Sequence, residues 1–197
     1  MGRDARLFVL VLVVLGWGLG ATVQAQDQIF LTPEEARAEV FPNGRYYQQD
    51  TLRFSSEEVR QARQALRRAE PLDSVLVVTR VYGRDGKFLG YAVITEELGK
   101  YRPITFIVGV RPDFSVEKVA VMVYRESHGG QVRLPRFLYQ YRGKTLRDPI
   151  QTYRDIVNIS GATISVNSLN RGVKKVLYFV TTYYRKHPPV LTYRPHR

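Results

Sequence analysis

Four segments of the chain are rich in apolar and β-branched residues and are separated by turn residues. They cover residues 75–82, 88–95, 104–110 and 116–124. Short apolar runs of this kind, rich in Val, Ile, Tyr and Phe, predict strands. Asp85 and Gly86 supply the positive-φ positions of a tight turn between the first two strands, which predicts a hairpin. The last two strands, joined through 111–114, predict a second hairpin and hence an antiparallel sheet.

Three further segments have the signals of helices. Thr32 and Ser55 are each followed three residues later by a glutamate, the pattern of a capping box, and predict two helix starts. The first helix is expected to end near 41–42. The third and longest helix is predicted from about Thr163 to about Tyr184. One continuous apolar stripe supports it: Val166, Leu169, Val173, Val176, Leu177, Val180 and Tyr184.

The order of these elements predicts a single α+β domain, in which an antiparallel sheet of hairpins packs with helices and a long amphipathic helix lies near the C-terminus. A short helix with apolar residues at Leu134, Phe137, Leu138 and Tyr141 is expected to close at Gly143. The predicted segments are a signal peptide or membrane anchor at 1–25, an N-terminal helical segment at 26–74, the main domain at 75–187 and a basic tail at 188–197.

The first residues have the pattern of an export signal. Arg3 and Arg6 precede the apolar run 7–15, and small and polar residues then lead to a plausible cleavage site at 23–25. An uncleaved membrane anchor is the alternative, because the apolar stretch continues beyond this run. Either interpretation predicts an exported protein, periplasmic or on the extracytoplasmic face of the cytoplasmic membrane.

The composition of the chain excludes several kinds of functional site. The 197 residues include 30 Lys plus Arg against 18 Asp plus Glu, a formal net charge of +12, so the surface attracts anions. Export argues against nucleic acid as the partner. The chain has no cysteine, which excludes disulfides, thiolate metal sites and cysteine-ligated iron–sulfur clusters. Three scattered histidines predict no metal site either. Any redox chemistry must therefore come from an organic cofactor.

The candidate chemistry lies directly before the last predicted helix. Ser160 and Thr163 flank Gly161 and Ala162, two residues too small to cover them. A hydroxyl at a helix start normally caps the helix by accepting a bond from a free backbone N–H. The same position also favours an anion, since free N–H groups and the positive end of the helix dipole point at it.

This motif resembles the flavinylation motif of the FMN-binding domains found in the G subunit of the Rnf complex and the C subunit of the sodium-pumping NADH:quinone oxidoreductase. The resemblance implies that FMN is attached through a phosphoester to Thr163, by an extracytoplasmic flavin transferase that uses FAD and magnesium. It also implies that Ser160 caps the helix or contacts the phosphate, and that Gly161 and Ala162 leave space for the transferase and the ribityl chain. The family usually has Asp where this chain has Val157.

Other stretches of 75–178 are similar to the same family. Glu126, His128, Gly129 and Gly130 occupy the place of its Glu-Thr-Pro-Gly loop after the second hairpin. The resemblance implies that the two glycines let backbone approach the isoalloxazine ring and that Glu126 and His128 contact the polar edge of the flavin. For His128, an exposed side chain without a role is the alternative. The block 133–144 resembles small exported FMN-binding proteins.

The resemblance implies an electron carrier without a substrate of its own, acting between unknown membrane or periplasmic redox partners. An anionic membrane surface is a further possible contact. The alternative is an exported basic module that binds an anionic ligand or cell-envelope polymer through arginines interleaved with Tyr139 and Tyr141. Those arginines are Arg133, Arg136, Arg142 and Arg147. A second basic set, Arg60, Arg63, Arg67 and Arg68, is interpreted as a solvated helix face.

Overall fold

The computed structural model describes residues 27–193. Its strands are β1 (Gln28–Ile29), β2 (Tyr46–Arg53), β3 (Val75–Tyr82), β4 (Phe88–Leu98), β5 (Pro103–Val110) and β6 (Val116–Tyr124). Its helices are α1 (Pro33–Val40), α2 (Ser56–Ala65), α3 (Pro135–Leu138) and α4 (Thr163–Lys186). The predicted leader 1–25 and the last residues of the predicted tail, 194–197, lie outside the described residues.

The strands form one sheet in the order β1-β6-β5-β4-β3-β2, and each neighbouring pair is antiparallel. From β2 to β6 the chain therefore passes from one strand to its neighbour, as successive hairpins require. The predicted α+β architecture and both predicted hairpins are confirmed.

Both faces of the sheet are covered. On one face α4 packs over the main core, which includes Phe106 of β5 and Leu169 of α4. On the other face α1 packs through Val40 against Ile107 and Met122. Burial on both faces explains why β5 is apolar at every position except Thr105. Among residues 27–193 no helix is both long and apolar enough to cross a membrane.

A glycine lets α4 lie close to the sheet. A Cβ atom added to Gly172 would come within 2.3 Å of Cζ of Phe106 and within 2.8 Å of Cγ of Glu97. No larger residue fits this contact without a shift of the helix. The close approach fixes the position of α4 and therefore the position of its first residue, Thr163.

Both predicted capping boxes are present. The side chains of Thr32 and Ser55 accept the N–H of Glu35 and Glu58, and each glutamate accepts the N–H of its capping residue. The description of 26–74 as a helical segment was incomplete, however, because it also contributes β1 and β2. Strand β2 escaped prediction since its side chains alternate between half-buried and exposed positions and most of them are polar.

The predicted tail is also partly ordered. Thr192 forms an isolated antiparallel bridge with Lys87, and the N–H of Tyr193 donates to the carbonyl of Gly86 at 2.8 Å. The ring of Tyr193 lies 5.2 Å from that of Tyr46 and 5.5 Å from that of Tyr82. Aromatic packing and backbone hydrogen bonds hold this part of the tail against the turn between β3 and β4.

Candidate functional site at the start of the last helix

A cleft of about 440 Å³ opens where the start of α4 meets the turn after β4 and the loop after β6. Its lining residues are Lys100, Tyr101, Glu126, Ser127, His128, Gly161, Ala162, Thr163, Ile164 and Ser165. The turn and the loop reach the same end of the sheet because β5 pairs antiparallel with both β4 and β6. The cleft thus brings Glu126 and His128 together with Thr163.

Thr163 is the first residue of α4, and the N-cap position before it is Ala162, which has no side-chain cap. The first intrahelical hydrogen bond is from the N–H of Val166 to the carbonyl of Ala162, at 2.9 Å. The N–H groups of 163–165 therefore remain free of intrahelical partners. Ser160 is exposed and does not cap the helix, which corrects one of its two predicted roles.

The hydroxyl of Thr163 is held by a neighbouring amide. Nδ2 of Asn158 donates to Oγ1 of Thr163 at 2.8 Å and to Oη of Tyr153 at 2.8 Å. Oδ1 of Asn158 is buried and has no hydrogen-bond partner among the described residues. Oγ1 of Thr163 thus acts as an acceptor toward the protein, and Thr163 is among the residues that line the cleft.

The two polar residues of the opposite wall have different surroundings. The carboxylate of Glu126 accepts the N–H groups of Tyr101 at 2.6 Å and Arg102 at 2.9 Å, so it shapes the turn after β4. His128 is exposed, and its Nδ1 lies 2.9 Å from Oγ of Ser127. The carboxylate of Glu126 is therefore hydrogen-bonded to backbone N–H groups, whereas the ring of His128 is exposed and lines the cleft.

Gly129 and Gly130 support the wall and do not line the cleft. Gly129 has a φ of +88°, and a Cβ there would lie 2.8 Å from Oη of Tyr124 and 3.0 Å from Oγ of Ser165. Those two oxygens are themselves 2.8 Å apart. Burial raises the pKa of Tyr124, although its bond to Ser165 opposes the change. This contact ties the end of β6 to the first turn of α4.

The position at which the family usually has Asp is on the surface. Val157 is 73% exposed, and its N–H donates to Oε1 of Gln140 at 2.7 Å. The nearest acid, Asp155, instead accepts from Nζ of Lys144 and the N–H of Gln151, both at 2.8 Å. Burial alone would raise the pKa of Asp155, but these bonds lower it. Asp155 therefore belongs to the loop and does not replace the missing aspartate.

The comparison with known proteins bears on exactly this part of the chain, from the turn after β4 to the middle of α4. Residues 99–178 match the family model of the FMN-binding domain. The matched segment contains all ten residues of the cleft. The resemblance stated from the sequence is confirmed for this segment, and the cleft lies within the segment that matches the FMN-binding domain.

The fold of the chain is also similar to a solved structure. The crystal structure of NqrC from Shewanella oneidensis, a sodium-pumping NADH:quinone oxidoreductase C subunit, superposes with a TM-score of 0.50. The match is 18% identical in sequence and covers 71% of this chain and 81% of that one. At this identity the similarity concerns the fold alone. No curated protein gives a significant match to the sequence.

The sequence patterns did not indicate three residues of this site. Lys100 and Tyr101 line the cleft, and Asn158 holds the threonine hydroxyl. The first two could have been found, because two successive antiparallel hairpins place the turn before β5 beside the loop after β6. No sequence pattern indicated that the amide of Asn158 turns toward Thr163.

Two arginines of the alternative interpretation, Arg133 and Arg142, line one cleft together with Tyr139, and two carboxylates, Glu39 and Glu117, line the same cleft. Arg142 lies 3.4 Å from Glu117, and the guanidinium of Arg133 stacks 4.8 Å from the ring centroid of Phe30. Arg147 lines a different cleft. Tyr141 is fully buried, and its hydroxyl donates to Oδ1 of Asn170 at 2.7 Å. Arg147 is therefore separate from the pair formed by Arg133 and Arg142.

Proposed function

We propose that this protein is an extracytoplasmic electron carrier that holds FMN covalently through a phosphoester to Thr163. The observation that carries the proposal is the placement of Thr163. Its hydroxyl lies in the wall of a cleft, at the first residue of a 24-residue helix that has no side-chain cap, inside a segment that matches the FMN-binding domain.

The surroundings of Oγ1 of Thr163 suit an ester oxygen. A phosphoester oxygen carries no hydrogen and can only accept a hydrogen bond. Asn158 already donates to this oxygen at 2.8 Å, so the same bond serves the free hydroxyl and the ester. The amide thus fixes the side chain in one orientation before and after attachment.

The charge of a phosphate at this position is favoured by the start of α4. Free N–H groups of 163–165 and the positive end of the helix dipole stabilise an anion there. Lys100 adds a cation from the turn after β4, its ammonium lying 4.8 Å from the ring centroid of Tyr101. A side-chain contact with Tyr101 also raises the pKa of Lys100, so it remains charged.

The rest of the cleft has the size and the surfaces needed for a flavin. Its volume of about 440 Å³ lies in the usual range for small-molecule sites of about 300–1,000 Å³. Tyr101 is 72% exposed and Ile164 is 47% exposed, and both offer apolar surface to a planar ring. His128 is placed to contact the polar edge of the ring, while Glu126 keeps the turn that carries Tyr101 in place.

FMN, when bound, supplies reversible uptake of one or two electrons. The protein contributes a fixed position, an electropositive surface and an open site that redox partners can approach. The net charge of +12 steers acidic partners or an anionic membrane surface toward the protein, an effect that salt screens. Export, for which the leader pattern in 1–25 is the support, places the protein where an extracytoplasmic flavin transferase acts.

Co-expression with an active extracytoplasmic flavin transferase in an export-competent host tests this function. We expect full denaturation to leave the flavin on the chain, seen as fluorescence of the gel band and a mass increase of one FMN minus one water. We also expect the flavin to be reduced and reoxidised reversibly while it stays attached. A chain that remains unmodified while a control substrate is flavinylated in the same cells contradicts the proposal.

Val157→Asp is expected to raise the rate of flavinylation when the transferase is limiting. The substitution restores the residue usual in the family, at an exposed position where it leaves stability nearly unchanged. One charge-assisted hydrogen bond gained in the encounter with the transferase corresponds to about a tenfold increase in initial rate. Val157→Asn has the same shape without the charge and serves as the control. Equal rates for the two variants and the original chain would exclude a role for this position.

A further inference from the structure

A second and larger cleft of about 640 Å³ lies between the loop after α2, the loop 149–154 and one face of α4. Five cationic side chains line it: Arg67, Arg68, Arg154, Arg171 and Lys174. No carboxylate is among the residues of 27–193 that line it. Its size is within the range of small-molecule sites. Thr163 does not line this cleft, so it is distinct from the proposed flavin site.

Positive charge beside this cleft exceeds the negative charge that could balance it. Glu97, only 4% exposed, accepts from Arg68 at 2.8 and 2.9 Å and from Lys175 at 2.7 Å, and Arg171 lies 3.7 Å away. Burial alone would raise the pKa of Glu97, but these cations lower it. One buried carboxylate is therefore the ion-pair partner of three cations.

Several donors of the cleft have no acceptor. Nε of Arg68 and Nε of Arg171 are buried and make no hydrogen bond to any described residue. The carboxylate of Glu70 is 3.8 Å from Nε of Arg68, beyond hydrogen-bond distance. No carboxylate of residues 27–193 lies within ion-pair distance of Arg67 or Arg154. The cleft thus offers cationic donors, and no carboxylate of residues 27–193 lines it.

This basic surface differs from the one expected from the sequence. Arg67 and Arg68 were assigned to a solvated helix face, but α2 ends at Ala65 and the side chain of Arg68 is only 8% exposed. Arg67 has a φ of 51° and Ile150, on the facing loop, has a φ of 45°. A β-branched residue rarely adopts this conformation, and strained backbone of this kind persists where the surrounding structure enforces it.

We propose that this cleft binds a phosphoryl group, on a free phosphate compound or on a phospholipid headgroup. A ligand for this cleft must be an anion rich in acceptors. Donors reach the cleft from three separate segments of chain, which suits a tetrahedral phosphoryl group better than a planar carboxylate, whose acceptor sites lie in one plane. The proposal is independent of the proposed flavin function.

The test measures the affinity of the purified full chain, at constant ionic strength, for inorganic pyrophosphate and for vesicles of equimolar phosphatidylcholine and phosphatidylglycerol. Arg154→Gln and Arg67→Gln each remove one exposed, unpaired guanidinium and are expected to leave the fold intact. Each is expected to weaken binding about tenfold, the effect of losing one hydrogen bond to a charged group. Arg84→Gln, in the turn between β3 and β4, makes the same charge change away from the cleft.

The outcomes separate the two sources of phosphate. Pyrophosphate binding that falls in the two cleft variants and not in Arg84→Gln supports a free phosphate ligand. Vesicle binding with the same pattern, and without pyrophosphate binding, supports a lipid headgroup. Equal weakening in all three variants means that net charge alone attracts anions, and this overturns the proposal. Absence of binding to both probes overturns it as well.

Discussion

Replacing Glu97 with glutamine is expected to lower the free energy of unfolding by about 3–5 kcal/mol. The substitution keeps the shape of the side chain and removes the buried carboxylate that Arg68, Lys175 and Arg171 approach. A buried charge left without its partner costs far more than an exposed one, because it cannot recover hydration. The midpoint of urea unfolding, with an unchanged dependence on urea concentration, measures the loss.

Glu96→Gln provides the matched control at the neighbouring position. The side chain of Glu96 is 53% exposed, accepts a hydrogen bond from Thr105 and lies 3.7 Å from Arg125. Its loss is expected to cost less than about 1 kcal/mol, since solvent screens an exposed pair. Equal destabilisation by the two substitutions would show that the buried cluster has no special role.

The stabilisation by Glu97 is expected to depend on pH. The pKa of Glu97 is lowered in the folded chain, so the folded state takes up its proton at lower pH than the unfolded state does. The contribution is complete above about pH 4.5, the ordinary pKa of a glutamate, and is lost as the pH falls through the lowered value. The difference in unfolding free energy between the original chain and Glu97→Gln should therefore shrink toward zero in acid.

Thr163→Ala is expected to abolish covalent flavin completely. The substitution removes Oγ1, the only atom through which this side chain can form an ester. Alanine is favourable within a helix, but the substitution also removes the hydrogen bond that Oγ1 accepts from Asn158, so stability should fall by no more than about 1.5 kcal/mol. Fluorescence of the denatured gel band after co-expression with the transferase measures the attachment.

Two controls accompany this variant. Thr163→Ser keeps a hydroxyl at the same position and is expected to retain flavin. Ser160→Ala removes an exposed hydroxyl that does not line the cleft, and it should also leave attachment intact. Fluorescence that persists in Thr163→Ala, or that disappears in Ser160→Ala alone, would identify a different attachment residue.

The elements predicted correctly are those whose side-chain pattern reflects burial. Strand β5 lies in the middle of the sheet and is apolar except at Thr105, and α4 has one continuous apolar stripe toward the sheet. Strand β2 is at the edge of the sheet, and every second side chain is exposed to solvent. Most of its residues are polar, so its sequence has no apolar run that would distinguish it from a loop. Local capping patterns at Thr32 and Ser55 were sufficient for α1 and α2.

The residues of the site that belong to a short sequence motif could be predicted. The contacts between segments that are distant in sequence could not. The placement of Thr163 at a helix start followed from the motif and the stripe behind it. The contact with Asn158 depends on the path of a loop, and the pairing of Arg68 with Glu97 joins residues 29 positions apart. The sequence does not show which distant charges pair, so Arg68 was assigned to a solvated helix face. In the structure its side chain is buried against Glu97.

Tandem mass spectrometry of the tryptic peptide 155–171 is the most direct test of the central claim, that Thr163 holds the FMN. Trypsin cuts after Arg154 and Arg171, and the peptide between them contains Ser160, Thr163, Ser165 and Ser168 as the only hydroxyl side chains. For the chain co-expressed with an active transferase, we expect one FMN minus one water on Thr163 and none on the three serines. An adduct on a serine, or no adduct while a control substrate is modified, would contradict the account.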